Sequence, residues 1–171
     1  MLQLFRGATL VAATMTMGLM AGLFYVFAHA IMPGLGRSDD RTFVGAYQAI
    51  DKAIVNPWFL ASFLGALVLT VLAAVLHLGG DGRTVLPWTA AALVLYVVAI
   101  VITVRINIPL NNRIQAAGAP DRIADLATVR EQFEARWVRW NIARGAATTA
   151  ALGCLTWALV LHGRTTISGG A

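Results

Sequence analysis

The chain has little charge and almost no cysteine or lysine. Charged residues make up 12% of its 171 residues, against about 25% in an ordinary soluble domain. No Lys, Arg, Asp or Glu occurs from Gly7 to Gly36, Ala53 to Gly80, Thr84 to Val104 or Gly145 to Gly163. Gaps of that kind exclude a water-facing surface over most of the chain. The single cysteine, Cys154, excludes an internal disulfide and a multi-cysteine metal site. No carboxylate lies inside any gap, which argues against the relay of a proton pump. There is no nucleophile motif, phosphate loop or dinucleotide fingerprint. No two histidines share a helix at ligand spacing, so neither a metal nor another cofactor is expected.

What fills the gaps is apolar, and hydrophobic residues make up 58% of the chain. Each gap can supply the ~20 apolar residues that cross a hydrocarbon core. The expected fold is all-α, a single integral membrane domain built as a four-helix up-down bundle. The spans fall at about 8–31, 57–78, 86–108 and 141–162. Two connections read as short amphipathic helices lying at the interface, at about 39–54 and 121–137. In the first, Ser38 or Asp39 can cap, and Phe43, Tyr47, Ile50 and Ile54 form the apolar stripe, with Asp51 off it. Pro33-Gly34 ends the first span, and Pro109 kinks or ends the third. Gly79 to Gly82 forms a tight turn, and a disordered tail is expected after His162. Ala28-His29-Ala30 has the form of a signal-peptidase site, but the apolar run is too long for a signal sequence, so the first helix is expected to be retained.

Twelve arginines stand against one lysine, Lys52. In a membrane chain such arginines flank spans and face anionic lipid, so nucleic acid is not an expected partner. Three basic residues, Arg6, Arg83 and Arg164, fall on the side of the termini, and ten fall on the other side. The positive-inside rule then puts both termini outside.

The polar residues near the Arg-rich ends of the spans carry the functional reading. His29 closes the first span and Asn56 opens the second. Arg105, Asn107, Asn111 and Asn112 end the third, and Trp137, Trp140, Asn141 and Arg144 open the fourth. The last four fall at i, i+3, i+4 and i+7, on one helical face. Asn or Arg turned to hydrocarbon is costly, so these faces are expected to point inward, into a cleft roofed by the amphipathic helices. Singly, each residue also suits a plainer role. Arginines snorkel, tryptophans form interfacial belts, asparagines cap or bridge helices, and a histidine hydrogen-bonds between helices. The expected partners are the membrane and a hydrophobic small molecule or lipid. Gly18 and Gly22 permit close helix contact, and a homo-oligomer is compatible with the pattern.

Four segments then resemble a known family. They are GLFYVFAHAIMPGL (Gly22 to Leu35), YQAIDKAIVNPWFL (Tyr47 to Leu60), RINIPLNNRI (Arg105 to Ile114) and WVRWNIARGAATTAAL (Trp137 to Leu152). Together they resemble the anthrone oxygenase family of four-helix membrane proteins, at Pro33, Gly34, Asn56, Pro57, Asn107, Pro109, Leu110, Asn111, Trp140, Asn141 and Arg144. Its largely bacterial membership implies a bacterial cytoplasmic membrane. The resemblance implies oxidation of an aromatic polyketide-type anthrone to a quinone by O₂, through a carbanion that needs no metal or flavin. On that reading His29 is the base. Arg105 and Arg144 hold the oxyanion, with Asn56, Asn107, Asn111 and Asn141 as substrate-binding donors. Trp137 and Trp140 stack on the ring. The alternative is a non-catalytic membrane module that binds a lipid or quinone, or assembles with a partner.

Overall fold

A computed structural model describes residues 1–79 and 83–168, with side chains through Thr165. Five helices account for nearly all of it: α1 Leu2–Leu35, α2 Asp40–Ile54, α3 Pro57–Leu76, α4 Leu86–Ala116 and α5 Leu126–Ser168. Among the described residues there is no strand. All but α2 are long and apolar enough to cross a membrane. The turn at Gly80 to Gly82, and the tail beyond Ser168, lie outside the described residues.

Local chemistry sets the helix starts. Asp39, not Ser38, caps α2, accepting from the Thr42 amide at 3.0 Å and the Thr42 hydroxyl at 2.7 Å. Those two bonds hold its carboxyl below the usual range. Asn56 caps α3 through the Trp58 and Phe59 amides, with Pro57 in the first turn. Asp125 makes the same pair of bonds to Thr128 one residue ahead of α5.

Four boundaries differ from the sequence reading. Neither Pro33 nor Pro109 ends its helix. In both cases a π-helical turn, Phe27–Ile31 in α1 and Thr103–Asn107 in α4, lies just ahead of the proline. Proline cannot donate to the carbonyl four residues back; the wider turn changes the bonding there, and the helix runs on. The second amphipathic segment leads straight into the fourth span, as its sequence indicates, but it starts at Leu126 rather than 121. Pro120–Arg122 is a single 3-10 turn, and Leu126 begins a helix continuous with the fourth span. That helix also passes His162 and reaches Ser168, where a disordered tail was expected.

The long helix α5 packs along α1 and α4, and α3 packs along α1; the seam between α3 and α4 is thinner. A first core of Leu10, Met17, Met20, Ala66, Tyr96 and Leu155 fills the bundle. Outside it, Val68, Leu72, Val94, Val98 and Val101 are exposed, an apolar girdle that suits lipid rather than water. A second core forms where α2 folds over the bundle end. Phe43, Tyr47, Leu110, Ile114, Phe133 and Trp137 are buried there. The apolar face of α2 is thus turned onto protein. Gln48 fastens it, donating to the carbonyls of Ile114 at 2.7 Å and Gly118 at 3.0 Å. Gly118 has φ +91°, a left-handed conformation that glycine accepts without strain. At the far end Arg6 donates to the Leu76 and Gly79 carbonyls, and His77 and His162 are buried with ring centres 5.5 Å apart.

Candidate functional site

Beneath α2 lies a cavity of about 220 Å³. Its walls are aromatic and aliphatic: Phe24 and Phe27 from α1, Phe59 and Phe63 from α3, Trp137 from α5. Exposed Val55, Leu60 and Ile108 stand at its edge, beside the thin α3–α4 seam. Six polar side chains line it: Tyr47, Asp51, Thr103, Asn107, Asn111 and Arg144. An apolar chamber with a few convergent polar groups is the usual form of a small-molecule site. Both π-helical turns face this region and supply Phe27, Thr103 and Asn107 to its wall.

Arg144 is buried at 8% exposure. Its Nε and Nη2 donate to Asn141 Oδ1 at 3.1 and 3.0 Å, and Nη1 donates to Thr103 Oγ1 at 3.2 Å. The guanidinium also lies over the rings of Phe24 and Trp137, at 4.3 and 5.4 Å from their centres. Among the described residues no carboxylate pairs with it. A buried cation held only by neutral dipoles and π faces keeps most of its field for something else in the cavity.

Asn111 is the hub of the polar wall. Its Oδ1 accepts from the Tyr47 hydroxyl at 2.9 Å and from Trp137 Nε1 at 2.8 Å. Its Nδ2 donates to Asp51 Oδ1 at 2.6 Å. Two donors on one side and a carboxylate on the other leave only this orientation of the amide. Gln115 Nε2 donates to the second Asp51 oxygen at 2.9 Å. Burial, then the neighbouring Asp51 carboxylate, push the Tyr47 hydroxyl above its ordinary range, so it remains a donor. Asn107 is buried and donates weakly to the Trp137 carbonyl at 3.4 Å, while its Oδ1 has no partner among the described residues. Such a buried acceptor costs about 1–3 kcal/mol unless something pairs with it.

The sequence-predicted residues divide. Asn107, Asn111, Trp137 and Arg144 line the cavity, and Asn141 stands behind Arg144, donating to the Phe24 carbonyl at 3.1 Å. Asn56 does not line it, because its side chain is used in capping α3. Trp140 is half-buried and outside the wall. Arg105 and Asn112 are exposed on the outer face of α4, as their seven-residue spacing makes them share one side. His29 is exposed in an open groove between α1 and α5, its ring 4.3 Å from that of Tyr25. Phe24 borders both this groove and the cavity, but His29 does not line the cavity.

Sequence reasoning missed Asp51, Thr103, Phe24 and Tyr47 as lining residues. Asp51 was placed off the apolar stripe of α2, but that stripe's border is where the roof meets the cavity. The available signal was its position one helical turn after Tyr47. Among the described residues no three His, Cys, Asp or Glu side chains gather as a metal-ligand set.

No curated protein and no solved structure matches the chain. A family model described as Anthrone oxygenase matches residues 58–154. That stretch is more than half of the 171 residues. It carries α3, α4 and the part of α5 with Trp137, Asn141 and Arg144. This four-span, all-helical membrane protein therefore belongs to the anthrone oxygenase family.

Proposed function

We propose that the protein is an oxidoreductase that oxidises an aromatic polyketide-type substrate with O₂ in the cavity beneath α2. Family membership supports an oxygenase-like role. The observation that carries the finer reading is Arg144. A charge buried at membrane depth costs at least about 2.5–3.5 kcal/mol, and this one has no carboxylate to offset it among the described residues. An anionic, flat aromatic occupant would complete the site. Its oxyanion would lie at the guanidinium, and its rings would lie against Phe24, Phe59 and Trp137.

An anthrone fits this description. Loss of its acidic C–H proton gives an electron-rich enolate, and Arg144 would stabilise that charge as it develops. The enolate combines with O₂ to give a hydroperoxide at carbon, which loses water to leave a carbonyl. One O₂ is consumed and one H₂O is released. Asn141 and Thr103 would position the guanidinium. The unpartnered Asn107 Oδ1 would accept from a ring hydroxyl.

The test is O₂ consumption by purified protein with an anthrone and no added metal, flavin or nicotinamide, against a no-protein control. Activity well above the control is expected. Rates equal to the control across several anthrones would support a lipid- or quinone-binding module instead. Activity abolished by a chelator would reveal a required metal.

A further inference from the structure

We propose that Asp51 is the general base of this cavity, taking the C–H proton whose removal starts the reaction. The inference rests on the oxygenase reading above. Among the described residues Asp51 is the only carboxylate that lines the cavity, and it lies outside the segment matched to the family. It sits in the same chamber as Arg144, so proton acceptor and oxyanion holder share one space of about 220 Å³.

Its setting is that of a positioned carboxylate. Asn111 Nδ2 donates to one oxygen at 2.6 Å and Gln115 Nε2 to the other at 2.9 Å. Asn111 is itself held by Tyr47 and Trp137. These bonds fix the plane of the group, and each oxygen keeps a further lone pair for a substrate proton. His29, the other candidate base, is exposed and does not line the cavity.

The step balances as follows. An Asp51 oxygen takes the proton from the methylene carbon, and the C–H electron pair becomes the enolate whose oxygen faces Arg144. The enolate gives its electrons to O₂ in forming the C–O bond. Protonated Asp51 returns its proton to the peroxide anion. Loss of the second methylene proton, with cleavage of the O–O bond, yields the carbonyl and water.

Proton abstraction can be read without O₂. Under argon in D₂O, wild-type protein should exchange the anthrone methylene hydrogens faster than buffer, followed by NMR. Asp51→Asn should slow this exchange by ~10²-fold or more, while it still folds and binds the quinone product; its melting should fall, because one amide oxygen cannot accept from both Asn111 and Gln115. Its O₂ consumption should recover as pH rises and the substrate ionises unaided. Exchange by Asp51→Asn at the wild-type rate overturns the assignment. Should that variant not fold, Asp51→Glu decides. Exchange above background supports the base. A folded, quinone-binding Asp51→Glu protein with background exchange overturns it. Wild-type protein that neither exchanges nor consumes O₂ sinks the oxygenase reading. Turnover by wild type with Asp51→Asn keeping pace sinks only the base.

Discussion

The Arg144 guanidinium lies 4.3 Å from the centre of the Phe24 ring, where another buried arginine would have a carboxylate. A ring face offsets a desolvated cation by about 2 kcal/mol without neutralising it. Arg144→Met, which keeps length and removes charge, should therefore fold with little change in melting. Charge-assisted hydrogen bonds contribute about 1.5–3 kcal/mol, so an anionic aromatic ligand should bind at least ~10-fold more weakly. Equal affinity for the anionic ligand in both proteins would contradict the proposed use of the cation.

The asparagines should differ in proportion to their bonds. Asn111→Leu leaves the Tyr47 hydroxyl, Trp137 Nε1 and one Asp51 oxygen without a partner, and should cost about 3 kcal/mol or more. Asn141→Leu strips Arg144 of two acceptor contacts and should come next. Asn107→Leu loses one long bond, so its effect should fall mainly on ligands that carry a ring hydroxyl. Asn56→Ala removes a cap worth about 1 kcal/mol. Thr156→Leu, exposed and bonded only within its helix, should be nearly silent. Thermal melts in one detergent give the ranking, and an Asn111 variant as stable as Thr156→Leu would break the argument.

His29→Ala should leave O₂ consumption within ~3-fold of wild type, since a positioned base contributes about 10²-fold or more and His29 lies outside the cavity wall. A loss of that size in the variant would return the base to His29 and imply that α1 turns during the reaction.

Arg130 joins three elements. It donates to Glu134 at 2.6 Å, to Asp40 at 3.0 Å and to the carbonyls of Ser38 and Gly36 at 2.9 and 2.8 Å. It also covers the Phe43 ring at 4.6 Å. Lysine cannot reproduce that planar fork. Arg130→Lys should lower stability by about 1–3 kcal/mol and loosen α2, visible as faster amide exchange in Asp40–Ile54. Unchanged exchange there would show that the roof is held by Gln48 and the aromatic core alone.

Both termini are expected outside and the Arg-rich connections inside. Arg144 and Arg6 are both buried in the bundle and drop out of the basic count, leaving nine against two from the ten and three in the sequence. The imbalance still sets the direction. In a Cys154→Ala background, Arg83→Cys should label from outside intact cells and Asp121→Cys should not. The reverse pattern would invert the protein.

Fold class was legible because charge and hydrocarbon exclude one another. That single incompatibility marks spans in a linear string, whatever they pack against. The caps at Asp39 and Asn56 were legible for a similar reason, since they are settled within three residues. Pro33 misled as a stop signal, and Pro109 was legible only as a kink or an end, because a π turn upstream rearranges the helix bonding and nothing in the composition announces that turn.

For the site, the order of residues alone implies that polar side chains collect at one end of an apolar bundle. It could not say which of them meet. Helical periodicity groups residues on their own helix but leaves each helix free to rotate about its axis. Only the packing of α1, α4 and α5 turned Asn107, Asn111 and Arg144 inward and left Arg105 and His29 outside. Only the docking of α2 through Tyr47 and Gln48 carried Asp51 to the cavity. The partition into lipid is a sum over local residues, whereas a cavity is a relation between distant ones. Asp51 and Asn111 stand 60 positions apart in the chain and 2.6 Å apart in the fold.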